Sequence, residues 1–153
     1  MSESLLVTAR KLAKATSKRP RQDDLKRAVS TAYYALFHAI ARSNADRLIG
    51  ASANRADEAW RHTYRALNHT DAFRACGRLR QLRFPVGLID VGDAFRSLQE
   101  ERHKADYDPM HRVTLADARA AIDSADIGIA TLKAASRKDQ ISFAAQLLFK
   151  ARP

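Results

Sequence analysis

The stretch Leu25-Lys-Arg-Ala-Val-Ser-Thr-Ala-Tyr-Tyr-Ala-Leu-Phe-His-Ala-Ile40 repeats its apolar residues at helical spacing. Leu25, Val29, Ala32, Leu36 and Ile40 form one stripe, and Tyr33 and Phe37 widen it. The spacing predicts a long helix over about 24–48, stopped by Gly50. Asp23 and Asp24 stand at its start as N-cap and first-turn residues, where negative charge suits the helix dipole.

The same period continues to either side. A first helix is expected from about Ser4 to Ser17 through Leu5, Ala9, Leu12 and Ala13, with Pro20 breaking the chain after it. A third should begin near Ser52 or Ala53, with Ala56, Trp60, Thr63, Tyr64 and Leu67 on its buried side. Asn68-His-Thr-Asp71 reads as a turn before a short basic segment, and Pro85 and Gly87 mark another boundary. A helix over about 88–107 carries Ile89 or Val91, then Phe95, Leu98 and Arg102 in register, and ends before Pro109. Thr114 and Asp117 have capping-box spacing and open a fifth helix through Leu115, Ala118, Ile122, Ala125, Ile129 and Leu132. A last amphipathic piece over about 139–150 carries Ile141, Ala144, Ala145 and Leu148.

Composition agrees with this pattern. The 153 residues are one domain's worth, and at 46% hydrophobic and 29% charged they can bury a core. Five glycines and four prolines are too few for a fold built on many tight turns. The expected class is all-α, a single domain over 1–153. Cys76 is the only cysteine, which excludes an internal disulfide and a cysteine-rich zinc site and fits a reducing compartment. No leader-like or membrane-spanning stretch is visible, so the expectation is a cytoplasmic protein without a membrane partner.

Net charge is +10, and it is unevenly spread, with +5 over residues 1–22, +4 over 51–83 and −2 over 84–112. Such a balance suits a phosphate-bearing partner, or equally a protein kept soluble by self-repulsion.

Three groups of residues could carry chemistry. Arg27, Ser30, Tyr34 and His38 share one helix face, either as a cleft or dimer face or as a packed rim. Arg102 occupies an apolar register and needs partners there. Asp106, one turn on, could pair with it structurally, or Arg102 could hold a phosphate with His103, Tyr107 or His111 nearby for proton transfer or positioning. Arg74, Arg78, Arg80 and Arg83, bracketed by Phe73 and Phe84, could hold nucleic acid. The histidines show no metal-ligand spacing, no glycine-rich phosphate loop is present, and no metal or cofactor is expected.

Two stretches together carry a family resemblance. Arg27-Ala-Val-Ser-Thr-Ala-Tyr-Tyr-Ala-Leu-Phe-His38 resembles the second-helix signature of HEPN domains, the higher-eukaryote and prokaryote nucleotide-binding family. Arg102-His-Lys-Ala-Asp-Tyr107 is similar to that family's motif near the end of a later long helix. The resemblance covers about residues 1–135 and leaves the last helix aside. It implies an up-and-down bundle of about five helices plus a C-terminal helix, a homodimer whose motif residues meet in a cleft, and RNA or nucleotide as ligand. Many such proteins are metal-independent endoribonucleases of toxin type, paired with a nucleotidyltransferase antitoxin; others are non-catalytic modules that bind nucleotide, RNA or a partner protein. The family's histidine follows its arginine by four to six residues, whereas here Tyr107 stands five residues after Arg102 and His111 nine. A tyrosine in this neighbourhood can be adenylylated by the partner in some members.

Overall fold

A computed structural model describes residues 1–14 and 21–151. Among them are seven helices and no strand: α1 (Ser2–Ala13), α2 (Gln22–Leu48), α3 (Asp57–Arg65), α4 (His69–Cys76), α5 (Val86–Tyr107), α6 (Leu115–Ala134) and α7 (Arg137–Leu148). The expected extension of the first helix to Ser17, and the break at Pro20, lie outside the described residues. No described helix is long and apolar enough to cross a membrane.

α2 is the central element and packs against α1, α3, α5, α6 and α7. Its stripe reads as expected, with Leu25, Val29, Ala32, Leu36 and Ile40 all buried, and Tyr33 fully so. Alanines 28, 35, 39, 41 and 45 are buried as well, so small side chains on the flanks let several helices approach one axis. Gly50 ends the helix with φ +140°, a conformation open to glycine at little steric cost.

Local chemistry sets the other boundaries. The Thr114–Asp117 pair forms a reciprocal capping box at α6, and the Ser136 side chain accepts from the Asp139 amide at 3.1 Å to start α7. Asn68 corrects the expected turn. Its Oδ1 accepts from the amides of Thr70 and Asp71 at 2.9 and 3.1 Å, and a further helix, α4, begins there. α3 is shorter than expected and has no fully buried residue, so its Trp60 and Tyr64 lie at a half-covered surface. On α7 the inward face is Gln140, Phe143, Ala144 and Leu147, one residue off the stripe expected through Ile141 and Leu148.

α5 meets the turn after α4 closely at Gly92. A Cβ at this position would stand 2.6 Å from Leu79 Cδ1 and 3.3 Å from Cys76 Cβ. Leu79 is fully buried and has little room to move. Gly92→Ala is therefore expected to destabilise the protein by about 1–3 kcal/mol through overpacking, despite alanine's better helix propensity. Urea unfolding would measure it, and an unchanged or raised midpoint would contradict this packing.

Candidate functional site

α4 and α5 form the walls of a cavity of about 340 Å3, which brings together Phe73 and Arg74 of α4 with Gln99, Arg102, His103 and Lys104 of α5. Thr70 and Glu100 complete the lining.

Arg102 follows Val91, Phe95 and Leu98 on the inward side of α5, so its stem packs over the core and its head emerges at the groove. The side chain is only 15% exposed. Its Nε donates to Asp106 Oδ2 at 3.0 Å, and Ser30 Oγ donates to the same oxygen at 3.4 Å. The guanidinium carbon lies 5.2 Å from the Tyr34 ring centre, 5.4 Å from Tyr33 and 6.0 Å from Tyr107. Three π-faces and one carboxylate thus hold the cation without dry burial.

A second layer lies beneath. The Tyr33 hydroxyl is 2.6 Å from His69 Nδ1 and makes a longer 3.4 Å bond to Gln99 Oε1. His69 stacks on Phe37 with ring centres 4.3 Å apart. Burial pushes the Tyr33 phenol far above its usual range, so it remains protonated at neutral pH. Burial, with the Arg102 charge as a lesser cause, lowers the His69 pKa and favours the neutral ring. His38 is also held below its usual value by burial, and its Nδ1 is 2.7 Å from the Tyr64 hydroxyl.

These two imidazoles have a consequence for stability. Their folded pKa values lie below the ordinary value of about 6.5, so on acidification the unfolded chain takes up protons first. Their contribution is complete above that pH and is lost progressively as pH falls below it. The thermal midpoint is expected to drop below that pH, and less so in His69→Gln. The same slope in that variant would contradict the buried, neutral His69.

The expected residues separate into groups. His103 is at the groove, and its ring centre is 4.9 Å from that of Tyr107, which is 65% exposed. His111 stands apart, with Nε2 3.9 Å from Glu101 Oε2. Arg74 joins Arg102 in the groove, but Arg78, Arg80 and Arg83 occupy the turn that follows α4 and are exposed. Arg80 there pairs with Asp93 at 3.2 Å. On the α2 ridge, Ser30 and Tyr34 meet the Asp106–Arg102 pair, His38 turns to α3, and Arg27 is exposed. Cys76 is buried, and burial raises its thiol pKa to about 12, which leaves it unreactive.

His69 and Gln99 were not among the expected site residues, whereas Phe73, expected beside the basic segment, does line the groove. Reading Asn68–Asp71 as a turn hid the first of them, although an asparagine with an acid three residues on is also a helix-start signal. Nothing in the spacing of Gln99 distinguished it from a rim residue.

Comparison with protein-family models, with curated proteins and with solved structures returns no match. The class that fold and site define is an all-α helical bundle with a cationic groove between two helices.

Proposed function

We propose that the chain is a HEPN-like, metal-independent endoribonuclease of toxin type, with the α4–α5 groove as its RNA site. The observation that carries this reading is the convergence of Arg102, His103, Arg74 and Lys104 on one cavity. An arginine offers a planar fork for a phosphate, and an imidazole moves protons near neutral pH. In this mechanism the RNA 2′-hydroxyl attacks the adjacent phosphorus and the 5′-oxygen leaves, giving a 2′,3′-cyclic phosphate. Arg102 balances the charge that develops on the phosphorane oxygens, and His103 transfers the proton. Arg74 and Lys104 hold the flanking backbone, which makes affinity strongly salt-dependent. A homodimer would set two such grooves in one cleft, and a nucleotidyltransferase antitoxin would act on the exposed Tyr107.

A second reading is a non-catalytic module for nucleotide, RNA or a partner protein. The closed Arg102–Asp106 pair, seated among tyrosine rings, favours it. The deciding experiment incubates tRNA and total RNA with wild type and Arg102→Ala in the presence of EDTA. Cleavage by wild type alone supports the ribonuclease. Intact RNA that is nevertheless retained by the protein supports the binding module.

A further inference from the structure

A second cavity, of about 400 Å3, lies where the start of α1 and the end of α6 meet α2 and the start of α7. It shares no residue with the α4–α5 groove. Its floor is apolar and belongs to the core, with Ala39, Ile129 and Leu132 each at most 9% exposed.

A buried amide fixes one cation at this floor. Gln140 also lines the cavity, is only 4% exposed, and uses both ends of its side chain. Its Nε2 donates to the Leu132 carbonyl at 2.7 Å, and its Oε1 accepts from Arg47 Nε. That bond is the one hydrogen bond of the Arg47 side chain among the described residues. Arg47 is thus held along one edge, and its two terminal amino groups remain for another partner. It has no carboxylate within 4.0 Å among the described residues.

The other charges of the lining are already matched. Lys133 meets Glu3 at 3.3 Å. Asp46 accepts from Trp60 Nε1 at 2.9 Å and has Arg42 at 3.8 Å. One guanidinium beside an apolar floor is therefore left without a counter-charge. An inorganic anion would satisfy Arg47 and leave the floor wet. An apolar molecule would cover the floor and leave the cation alone. A carboxylate on a short apolar chain does both.

We propose that this cavity binds a small aliphatic carboxylic acid in its ionised form, the carboxylate held by the terminal amino groups of Arg47 and the chain lying on Ala39, Ile129 and Leu132. A guanidinium takes a carboxylate through two parallel N–H bonds, and each methylene removed from water adds affinity. The cavity size is within the range of small-molecule sites. Glu3 and Asp46 in the same lining disfavour a second negative charge, so the ligand is a monoanion. This assignment makes no use of the α4–α5 groove and does not depend on RNA cleavage there.

Hexanoate, acetate, inorganic phosphate and hexylammonium would each be titrated into wild type and followed by isoleucine-methyl NMR. Ile129 is the isoleucine that lines this cavity, so its signal localises the ligand. Hexanoate is expected to move that signal saturably, and at least about tenfold more tightly than acetate or phosphate, because its methylenes cover the floor. Hexylammonium has the same chain with the wrong charge and should leave the signal in place. Arg47→Met keeps an apolar stem without the cation and is expected to weaken hexanoate at least about tenfold. Its thermal midpoint would be measured alongside, and the ligand series in wild type decides the matter even where that variant does not fold. An unmoved Ile129 signal overturns the proposal, as does acetate, phosphate or hexylammonium binding as tightly as hexanoate. Equal hexanoate affinity in folded Arg47→Met overturns it too.

Discussion

Replacing Arg102 by alanine is expected to reduce RNA cleavage by at least about a hundredfold, the usual effect of removing one donor that stabilises a developing oxyanion. The loss of stability should be far smaller. Arg102 is only 15% exposed, but its partner Asp106 is 30% exposed and retains the 3.4 Å contact from Ser30. Water can take over the guanidinium's place, which sets the expected destabilisation near 1 kcal/mol. Arg102→Lys separates charge from shape. A lysine keeps the positive charge but neither forks a phosphate nor lies flat against Tyr33 and Tyr34, so its activity should remain well below wild type. Cleavage rates per folded protein, with thermal midpoints measured alongside, check this. Full activity in folded Arg102→Ala would remove Arg102 from the reaction and leave it as a structural pair.

Phe95→Ala is expected to cost about 3–5 kcal/mol, a large part of the roughly 5–15 kcal/mol that stabilises a typical domain. Phe95 is fully buried, and its ring centre lies 5.4 Å from Tyr33 and 6.5 Å from Phe37. Removing it opens a cavity directly behind the ring on which Arg102 rests. Groove function should therefore weaken together with stability. Phe95→Leu fills most of the space and should lose no more than about 1.5 kcal/mol. The midpoints of urea unfolding curves would measure both. A loss below about 1 kcal/mol for Phe95→Ala would mean that this part of the core is looser than the contacts indicate.

Much of this architecture was legible before any coordinates. The apolar period of residues 25–40, the Gly50 stop, the Thr114–Asp117 cap and the register that carries Arg102 inward are local features, encoded within a few residues of one another. The Arg102–Asp106 pair was legible for the same reason, since residues four apart meet on one helix face. Errors arose where tertiary packing overruled spacing. α3 has apolar residues at helical period yet buries none of them fully, because it lies on α2 at the edge of the bundle. α7 offers two adjoining apolar stripes, and packing against α2 and α4 buries the one with Phe143 and Leu147.

The amino-acid sequence by itself thus determined an all-helical chain, its central helix, its excess of positive charge and an inward-facing Arg102. Only the tertiary structure decided which distant groups gather there: Tyr33 and Tyr34 of α2 against the arginine, Ser30 of α2 against its partner Asp106, and Arg74 of α4 on the opposite wall of the groove. It likewise gathered Glu3, Arg47, Ile129 and Gln140 around one cavity. The physical reason is that hydrogen bonding and side-chain periodicity act over one or two turns, whereas a site is assembled by how whole helices bury their faces against one another.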